Sequence, residues 1–177
     1  ESQKELFFKL SLAQWSLHKA IQSGQMSPYL FAEKSRKWGF SGLEYVNQLY
    51  DDVMKSEDKI SSLKSFILKN NKLADDNGVE NVLIMIDEEG DLADENEDNR
   101  LIAIDNHKLW IDTAAEMNCS SVRLNLYGSK DIETWKKLSI DSLSKLGEHA
   151  RGTGLNVIVE NHGRITSNIP ELMKVIY

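Results

Sequence analysis

Short apolar runs alternate with longer stretches of helical periodicity along this chain. In a run such as NVLIMI, five consecutive apolar residues follow the asparagine, as is typical of a parallel strand covered on both faces. Between the runs, apolar residues recur at helical spacing, as at Ile60, Leu63 and Phe66. The pattern predicts five strands and five helices. The strands are placed in 7–17, 41–46, 81–86, 121–127 and 155–160, and the helices in 27–38, 56–77, 98–117, 135–150 and 169–177.

Capping residues support several of these helix limits. Ser27 is a good N-cap, and Pro28 follows at a position where its missing N–H costs nothing. Ser56 is predicted to cap the second helix. Asn77 and Gly78 are predicted to end it, because a left-handed residue commonly closes a helix.

The alternation of strands and helices indicates βαβ units and a parallel sheet with helices outside. An open doubly wound sheet and a β/α barrel both fit. The open sheet usually carries a glycine-rich first turn, whereas AQWSLHKAI has no glycine, so the barrel is favoured. An eight-stranded barrel typically takes about 250 residues. The predicted fold is therefore α/β, a parallel (β/α) TIM-barrel type with about five of eight units, in a single domain over 1–177 truncated at its C-terminal side.

The fifth predicted strand ends in polar side chains that could bind a ligand or transfer a proton. In VIVENHG, Glu160, Asn161 and His162 follow directly on an apolar run that we expect to be buried. Ligands of parallel α/β folds bind at the carboxyl ends of strands. A carboxylate there can hold a divalent metal or move a proton beside a carbonyl. The alternative is a polar strand end satisfied by its neighbours and by water.

Polar residues also interrupt two other predicted strands. Arg123 and Asn125 alternate with apolar residues and so share one face, which we expect to point inward because arginine rarely suits a strand–helix interface. Glu44 interrupts GLEYV and is expected either to pair with Arg123 or to be a solvated edge carboxylate.

Aromatic and histidine side chains are ambiguous candidates. Trp15 and His18 follow the first strand, where the tryptophan could form a wall for a sugar ring, although packing under a loop is favoured. His107 and Trp110 lie within a predicted helix, so a structural role is expected. The acidic segment DEEGDLADENED, 87–98, fails the calcium-loop pattern and is expected to be a solvated, mobile flap.

Composition narrows the function classes. The 177 residues include 28 acidic and 21 basic ones, a formal net charge of −7, which argues against a general nucleic-acid binder. The single cysteine, Cys119, excludes an intrachain disulfide and is expected to be a small core residue. No apolar run approaches the roughly 20 residues that span a bilayer, so no membrane span is expected.

The first residues, ESQKEL, leave localisation open. They fit a trimmed chain, and they fit equally a mature protein whose export signal has been removed. A cytoplasmic and an exported or periplasmic location are both compatible with them.

Several segments together resemble the sugar phosphate isomerase/epimerase family, whose members have a xylose-isomerase-like TIM barrel. The segments are NHKLWIDTAAEMNCSSVRLNLYG (106–128), GLNVIVENHGRITSN (154–168), LSLAQWSLHKAI and GFSGLEYV (39–46). ENHG is the most specific of them. The resemblance covers nearly the whole chain.

The resemblance implies a divalent-metal enzyme that acts on a small-molecule sugar or polyol. The metal would be Mn, Mg, Co or Zn, and Glu160 would bind it and act as catalytic acid or base. His162, Arg123 and Asn125 match polar positions that line the substrate site, with Glu44, His18 and Trp15 as further candidates. The implied reaction removes a proton beside a carbonyl and returns it to another carbon or the other face.

The sequence departs from the family pattern in two ways. Met117 and Asn118 stand where relatives commonly have leucine and glycine. The family's other metal ligands and its second catalytic carboxylate, from strands six to eight, have no counterpart here. The full-length protein is therefore expected to be an enzyme, and these 177 residues alone are expected to lack part of its site.

Two other functions remain open, and so does the oligomeric state. A non-catalytic sugar-binding or lyase-accessory barrel predicts sugar affinity that chelators leave unchanged. A metal-dependent endonuclease for abasic DNA is disfavoured by the net acidity. Because open strand edges pair readily, we also expect the isolated chain to form homo-oligomers or to aggregate.

Overall fold

A computed structural model describes residues 8–177 of the chain. Its five strands are β1 (Ser11–Ala13), β2 (Gly42–Val46), β3 (Glu80–Ile86), β4 (Ser121–Leu124) and β5 (Asn156–Val159), hydrogen-bonded in that order in one sheet. β1 pairs with β2, and β4 with β5, in parallel. The predicted alternation of parallel strands and helices is confirmed. Residue 7 of the first predicted strand and the segment ESQKEL lie outside the described residues.

Seven α-helices lie within residues 8–177. They are α1 (His18–Gln22), α2 (Phe31–Lys37), α3 (Asp51–Met54), α4 (Lys59–Asn77), α5 (Glu97–Glu116), α6 (Ile132–Ala150) and α7 (Ile169–Ile176). The five long predicted helices are all present, and short helices or 3₁₀ turns fill the loops between them. No helix in this part of the chain is both long and apolar enough to cross a membrane.

The first helix start was predicted correctly and the second was not. Ser27 accepts a hydrogen bond from the Tyr29 N–H at 3.3 Å and begins a 3₁₀ turn that continues into α2. Ser56, however, does not cap α4. Asp58 does so, accepting from the Ser61 N–H at 3.0 Å, because a carboxylate one residue before the helix is an equally good acceptor. Gly78 ends α4 with φ +61°, as predicted.

The chain divides into two compact units, one up to Leu83 and one from Ile84, and β3 spans the division. In the first unit, β2 contributes fully buried Tyr45, whose ring meets those of Phe31 and Phe66 edge to face at centroid distances of 5.6 and 6.2 Å. Edge-to-face pairs add to the stabilisation from apolar burial. These aromatic rings therefore anchor α2 and α4 to the sheet.

The core of the second unit lies between β4 and the helices that flank it. Val122 and Leu124 of β4 are fully buried, as are Trp110 of α5 and Leu146 of α6. His107 is also buried in α5, where its Nδ1 lies 2.7 Å from the Ala103 carbonyl oxygen. Burial lowers the pKa of His107. A neutral imidazole bonded within its own helix supports the structural role predicted for it.

The fifth strand is less buried than its sequence predicted. Asn156 is exposed and Ile158 is 44% exposed. The reason is that β5 lies at the end of the sheet order, so that β4 is its only strand neighbour within residues 8–177. An apolar run indicates a strand but does not report how many neighbours cover it.

Cys119 is buried, as predicted, and burial raises the pKa of its thiol to about 12. Because only the thiolate reacts, we expect a thiol reagent at pH 8 to react about three orders of magnitude more slowly than with an exposed cysteine. The measurement is the rate of colour release from a disulfide reagent, in native buffer and in denaturant. Rapid reaction in native buffer would contradict the buried position.

Candidate active site

The pairing of β4 with β5 places four side chains on one face of the sheet, those of Arg123, Asn125, Ile158 and Glu160. Arg123 lies opposite Ile158 in the parallel register, and the Glu160 N–H donates to the Leu124 carbonyl at 3.1 Å, which continues the ladder beyond β5. Cross-strand partners share a face and alternate residues change face. Glu160 therefore lies on the face of Arg123 and Asn125. The prediction that Arg123 and Asn125 share a face is confirmed.

Arg123 joins two carboxylates from different strands. Its Nη1 and Nη2 donate to the two oxygens of Asp87 at 2.9 and 3.3 Å, and its Nε lies 2.9 Å from Glu160 Oε2. Asn125 Nδ2 also donates to Asp87, at 2.7 Å. We call Asp87, Arg123, Asn125 and Glu160 the Arg123 cluster. Bidentate carboxylate–guanidinium pairs hold both groups in a defined orientation.

Charge is unevenly distributed over the Arg123 cluster. It holds one guanidinium and two carboxylates, so one negative charge is not neutralised within it. The Arg123 and Asp87 side chains are 12% and 19% exposed, whereas Glu160 is 41% exposed. The partly buried pair thus forms the support, and Glu160 presents a carboxylate to solvent.

His162 lies beside Glu160, and Tyr127 lies beside His162. His162 Nδ1 is 3.7 Å from Glu160 Oε1, too far for a hydrogen bond but close enough for electrostatic attraction when the ring is protonated. The Tyr127 ring meets the His162 ring edge to face, with centroids 6.2 Å apart. Partial burial raises the pKa of the Tyr127 hydroxyl, and the Asp87 carboxylate raises it further. The structure therefore brings His162 close to Glu160, and its role as a site residue stays a prediction.

Sequence reasoning missed Asp87. It assigned 87–98 to a solvated flap, which is wrong for part of the segment, because Leu92 and Ala93 are fully buried and Glu89 is buried as well. Glu89 accepts a hydrogen bond from the indole N–H of Trp110. A usable signal existed, because Asp87 is the first polar residue after an apolar strand, just as Glu160 is.

Backbone contacts hold this acidic loop against the segment that follows β4. The Ala93 N–H donates to the Tyr127 carbonyl, and the Ser129 N–H donates to the Ala93 carbonyl, both at 2.8 Å. From α6, the Ser142 hydroxyl donates to the Leu92 carbonyl at 2.6 Å. Satisfied backbone groups explain how so acidic a segment packs without large apolar content.

Gly128 lies where these two segments meet. It has φ +142°, and a Cβ built there would be 2.1 Å from the Ala93 carbonyl carbon and oxygen. We expect Gly128→Ala to lower the free energy of unfolding by about 1–3 kcal/mol, because backbone strain is added to the clash. The measurement is urea unfolding followed by circular dichroism.

A second glycine provides the control. A Cβ at Gly147 in α6 meets nothing within 4 Å. Gly147→Ala should therefore raise the unfolding free energy by about 0.5–1 kcal/mol through the helix preference of alanine. Equal effects of the two substitutions would argue against the close approach at Gly128.

The other predicted site residues lie in the first unit. Glu44 is half-buried and accepts a hydrogen bond from the Ser11 hydroxyl, so it is not simply a solvated edge carboxylate. Its predicted pairing with Arg123 stays a prediction. Trp15 is 41% exposed and stacks on His18, with centroids 4.2 Å apart and an interplanar angle of 9°. Within residues 8–177 it does not pack under a loop, the interpretation that the sequence favoured.

A divalent metal was predicted at Glu160, and the donors near it are few. Among the described residues, no group of three or more His, Cys, Asp or Glu side chains is placed to hold a metal ion. Glu160 and His162 supply two donors at most, and Glu160 Oε2 is already bonded to Arg123. The buried Asn125 Oδ1, which has no hydrogen-bond donor in this part of the chain, is one further oxygen. A catalytic zinc ion takes three protein ligands arranged around it, and calcium takes six or more oxygens, whereas no such arrangement is assembled among the described residues. These residues alone do not fit a complete metal site.

Solved structures of several proteins have a similar fold. The 3-keto-D-glucoside 4-epimerase YcjR from E. coli, in its apo form, is 18% identical, with a TM-score of 0.60 over 75% of this chain and 50% of its own. The IolI protein with a bound zinc atom is 17% identical, with a TM-score of 0.70 over 96% of this chain and 58% of its own. A xylose isomerase-like TIM barrel protein from Mycobacterium smegmatis in complex with magnesium is 16% identical, with a TM-score of 0.57 over 82% of this chain and 52% of its own.

These similarities concern the fold, since all three identities are low. The chain spans about half to three-fifths of the length of these structures. No curated protein matches the sequence. The sequence from 32 to 176 matches the family described as xylose isomerase-like TIM barrel, in agreement with the five parallel βα units, and the chain belongs to that family.

Proposed function

We propose that the protein contributes to an isomerase or epimerase that moves a proton beside a carbonyl of a sugar or sugar derivative. The observation that carries the proposal is the attachment of Glu160 to Arg123, whose opposite edge is held by Asp87. A catalytic base has to be held in one orientation with one oxygen accessible to the substrate. Glu160 meets both conditions.

The two oxygens of Glu160 have different surroundings. Oε2 is bonded to Arg123 Nε, so the carboxylate cannot rotate freely. Oε1 points to the side where His162 lies, 3.7 Å away. In the proposed reaction Oε1 takes the proton from the carbon beside the carbonyl and returns it. Arg123 orients Glu160, and Asp87 with Asn125 keeps Arg123 in place.

The sugar substrate is supported by the family and by the similar solved structures. One of these is named as an epimerase of a keto-glucoside. The net charge of −7 disfavours the endonuclease alternative, because binding of a phosphate backbone depends on lysine and arginine.

The zinc and magnesium in two similar structures support a divalent ion within the family. A metal at Glu160, whether Mn, Mg, Co or Zn, stays a prediction, because the described residues alone do not complete a site. The proton transfer above uses only side chains of this chain.

The test is exchange of substrate hydrogen with solvent. The purified protein is incubated in D₂O with a panel of ketohexoses, and loss of the C–H signal is followed by proton NMR. We expect Glu160→Gln to slow the exchange by about 10²–10⁴-fold, the usual contribution of a positioned base. Glu57→Gln, at an exposed position before α4, should leave the rate unchanged. Equal rates in both variants would refute the assignment of Glu160.

A second candidate is a non-catalytic sugar-binding barrel. It is favoured by the small number of metal donors around Glu160 within the described part of the chain. In that case sugars bind with an affinity that chelators leave unchanged, and no exchange with D₂O occurs in the unsubstituted protein.

A further inference from the structure

A cleft of about 510 Å³ lies within the second unit, lined mainly by the segments that follow β4 and β5. Tyr127 forms part of its wall, and buried Trp135 is also among its lining residues. Lys130 and Arg164 line it too, one from the segment after β4 and one from the segment after β5. The remaining lining residues are Leu126, Gly128, Ser129 and Ile165.

The charge of this cleft is opposite to that of the protein. The chain has a formal charge of −7, yet the residues that line the cleft include two cations and, within the described chain, no carboxylate. The salt bridges of the described residues include neither Lys130 nor Arg164, although they engage most other exposed cations near α6 and α7. Lys130 also borders a neighbouring acidic cleft, so Arg164 is the more specific cation.

Arg164 is held over the cleft by its neighbours. Its guanidinium carbon lies 5.1 Å from the centre of the Tyr127 ring, a cation–π contact that leaves the N–H groups available. Its backbone has φ +52°, which is uncommon for a residue with a side chain. The guanidinium is therefore placed by the local backbone and by Tyr127.

A chain of contacts connects the cleft to Glu160. Tyr127 lines the cleft and its ring meets that of His162, whose Nδ1 lies 3.7 Å from Glu160 Oε1. Two side chains, Tyr127 and His162, thus link the cleft to the carboxylate.

We infer that this cleft binds an oxyanion group of the substrate, a phosphate or a carboxylate, through Arg164 with help from Lys130. The substrate is then an anionic sugar derivative. Guanidinium groups bind such oxyanions through paired, charge-assisted hydrogen bonds, whereas a neutral hydroxyl forms weaker ones. The inference rests on the proposed function, since it treats Glu160 and the cleft as one site.

The experiment compares binding of sugars that differ only in charge. The protein is titrated by calorimetry at low salt with D-fructose and D-fructose 6-phosphate, with D-glucose and D-glucuronate, and with inorganic phosphate alone. We expect an anionic member of a pair to bind about ten- to a hundredfold more tightly than its neutral partner. Arg164→Asn should remove most of that preference, because asparagine accepts positive φ but carries no charge.

Arg151→Asn is the matched control, because Arg151 is an exposed arginine that pairs with Glu148 outside the cleft. It should keep the full preference. Circular dichroism spectra of both variants establish that they are folded.

Four results would overturn the inference. They are absence of binding by every probe, equal affinities for charged and neutral sugars, equal behaviour of the two arginine variants, and inorganic phosphate binding as tightly as the sugar phosphate. The last would indicate a free-anion site. The calorimetric experiment measures binding and not turnover, so it can be interpreted even if Glu160 catalyses no proton exchange. The oxyanion site and the catalytic role of Glu160 can therefore fail separately.

Discussion

Replacing Asp87 by alanine is expected to lower the free energy of unfolding by about 3–5 kcal/mol. The substitution removes both hydrogen bonds to the Arg123 Nη atoms and the one to the Asn125 amide. Arg123 is only 12% exposed, so its charge would remain largely out of water with Glu160 as its remaining carboxylate partner among the described residues. Removal of one partner of an ion pair that is mostly shielded from water costs more than the pair itself contributes.

Urea unfolding followed by circular dichroism measures this loss of stability. Two further variants serve as comparisons, one as a control and one as a test of the charge effect. Asp91→Ala removes an exposed acid of the same loop and should change stability by no more than about 0.5 kcal/mol. The double variant Asp87→Ala with Arg123→Met also removes the guanidinium that has lost its Asp87 partner, and it should be more stable than Asp87→Ala alone. If Asp87→Ala behaves like Asp91→Ala, the Arg123 cluster is not the support described above.

Replacing Trp110 by alanine should have an effect of similar size, about 3–5 kcal/mol. Trp110 is fully buried in α5, and its indole N–H donates to Glu89, two residues after Asp87 in the sequence. The substitution therefore leaves a cavity and takes a donor from a buried carboxylate. Both changes weaken the loop that presents Asp87 to Arg123.

Trp110→Phe separates the two contributions. It keeps most of the ring volume and loses only the N–H, so it should cost about 1–3 kcal/mol, the penalty of an unsatisfied buried group. Both variants are measured by urea unfolding. A loss below about 1 kcal/mol for Trp110→Ala would contradict the packing of α5 described here.

The secondary structure followed closely from the sequence, and its errors have specific causes. All five strands lie within their predicted ranges, apart from one residue at the start of β3. The α4 cap was placed at Ser56 because serine is a favoured N-cap, but Asp58 is equally favoured and stands closer to the apolar stripe. Ile60 was assigned to that apolar stripe, but its side chain is 51% exposed. It lies in the first turn of α4, whereas the buried residues of this helix begin at Leu63.

The candidate site was predicted in part. Glu160, Arg123, Asn125 and His162 were selected from their positions near strand ends, and the structure brings them together. Asp87 was missed because eight acidic residues in 87–98 were treated as one solvated segment. Their individual partners, Arg123 for one and Trp110 for another, lie more than 20 residues away in sequence.

The sequence by itself determined the alternation of parallel strands and helices, the family, and the polar residues near the ends of β4 and β5. Local periodicity and strand-end composition depend on neighbouring residues, so they can be read without a structure. Only the tertiary structure decided that Arg123 joins Asp87 to Glu160, that the acidic loop is packed, and that Arg164 and Lys130 line one cleft. Those arrangements depend on strand register and on the space between loops, which residues distant in sequence define together.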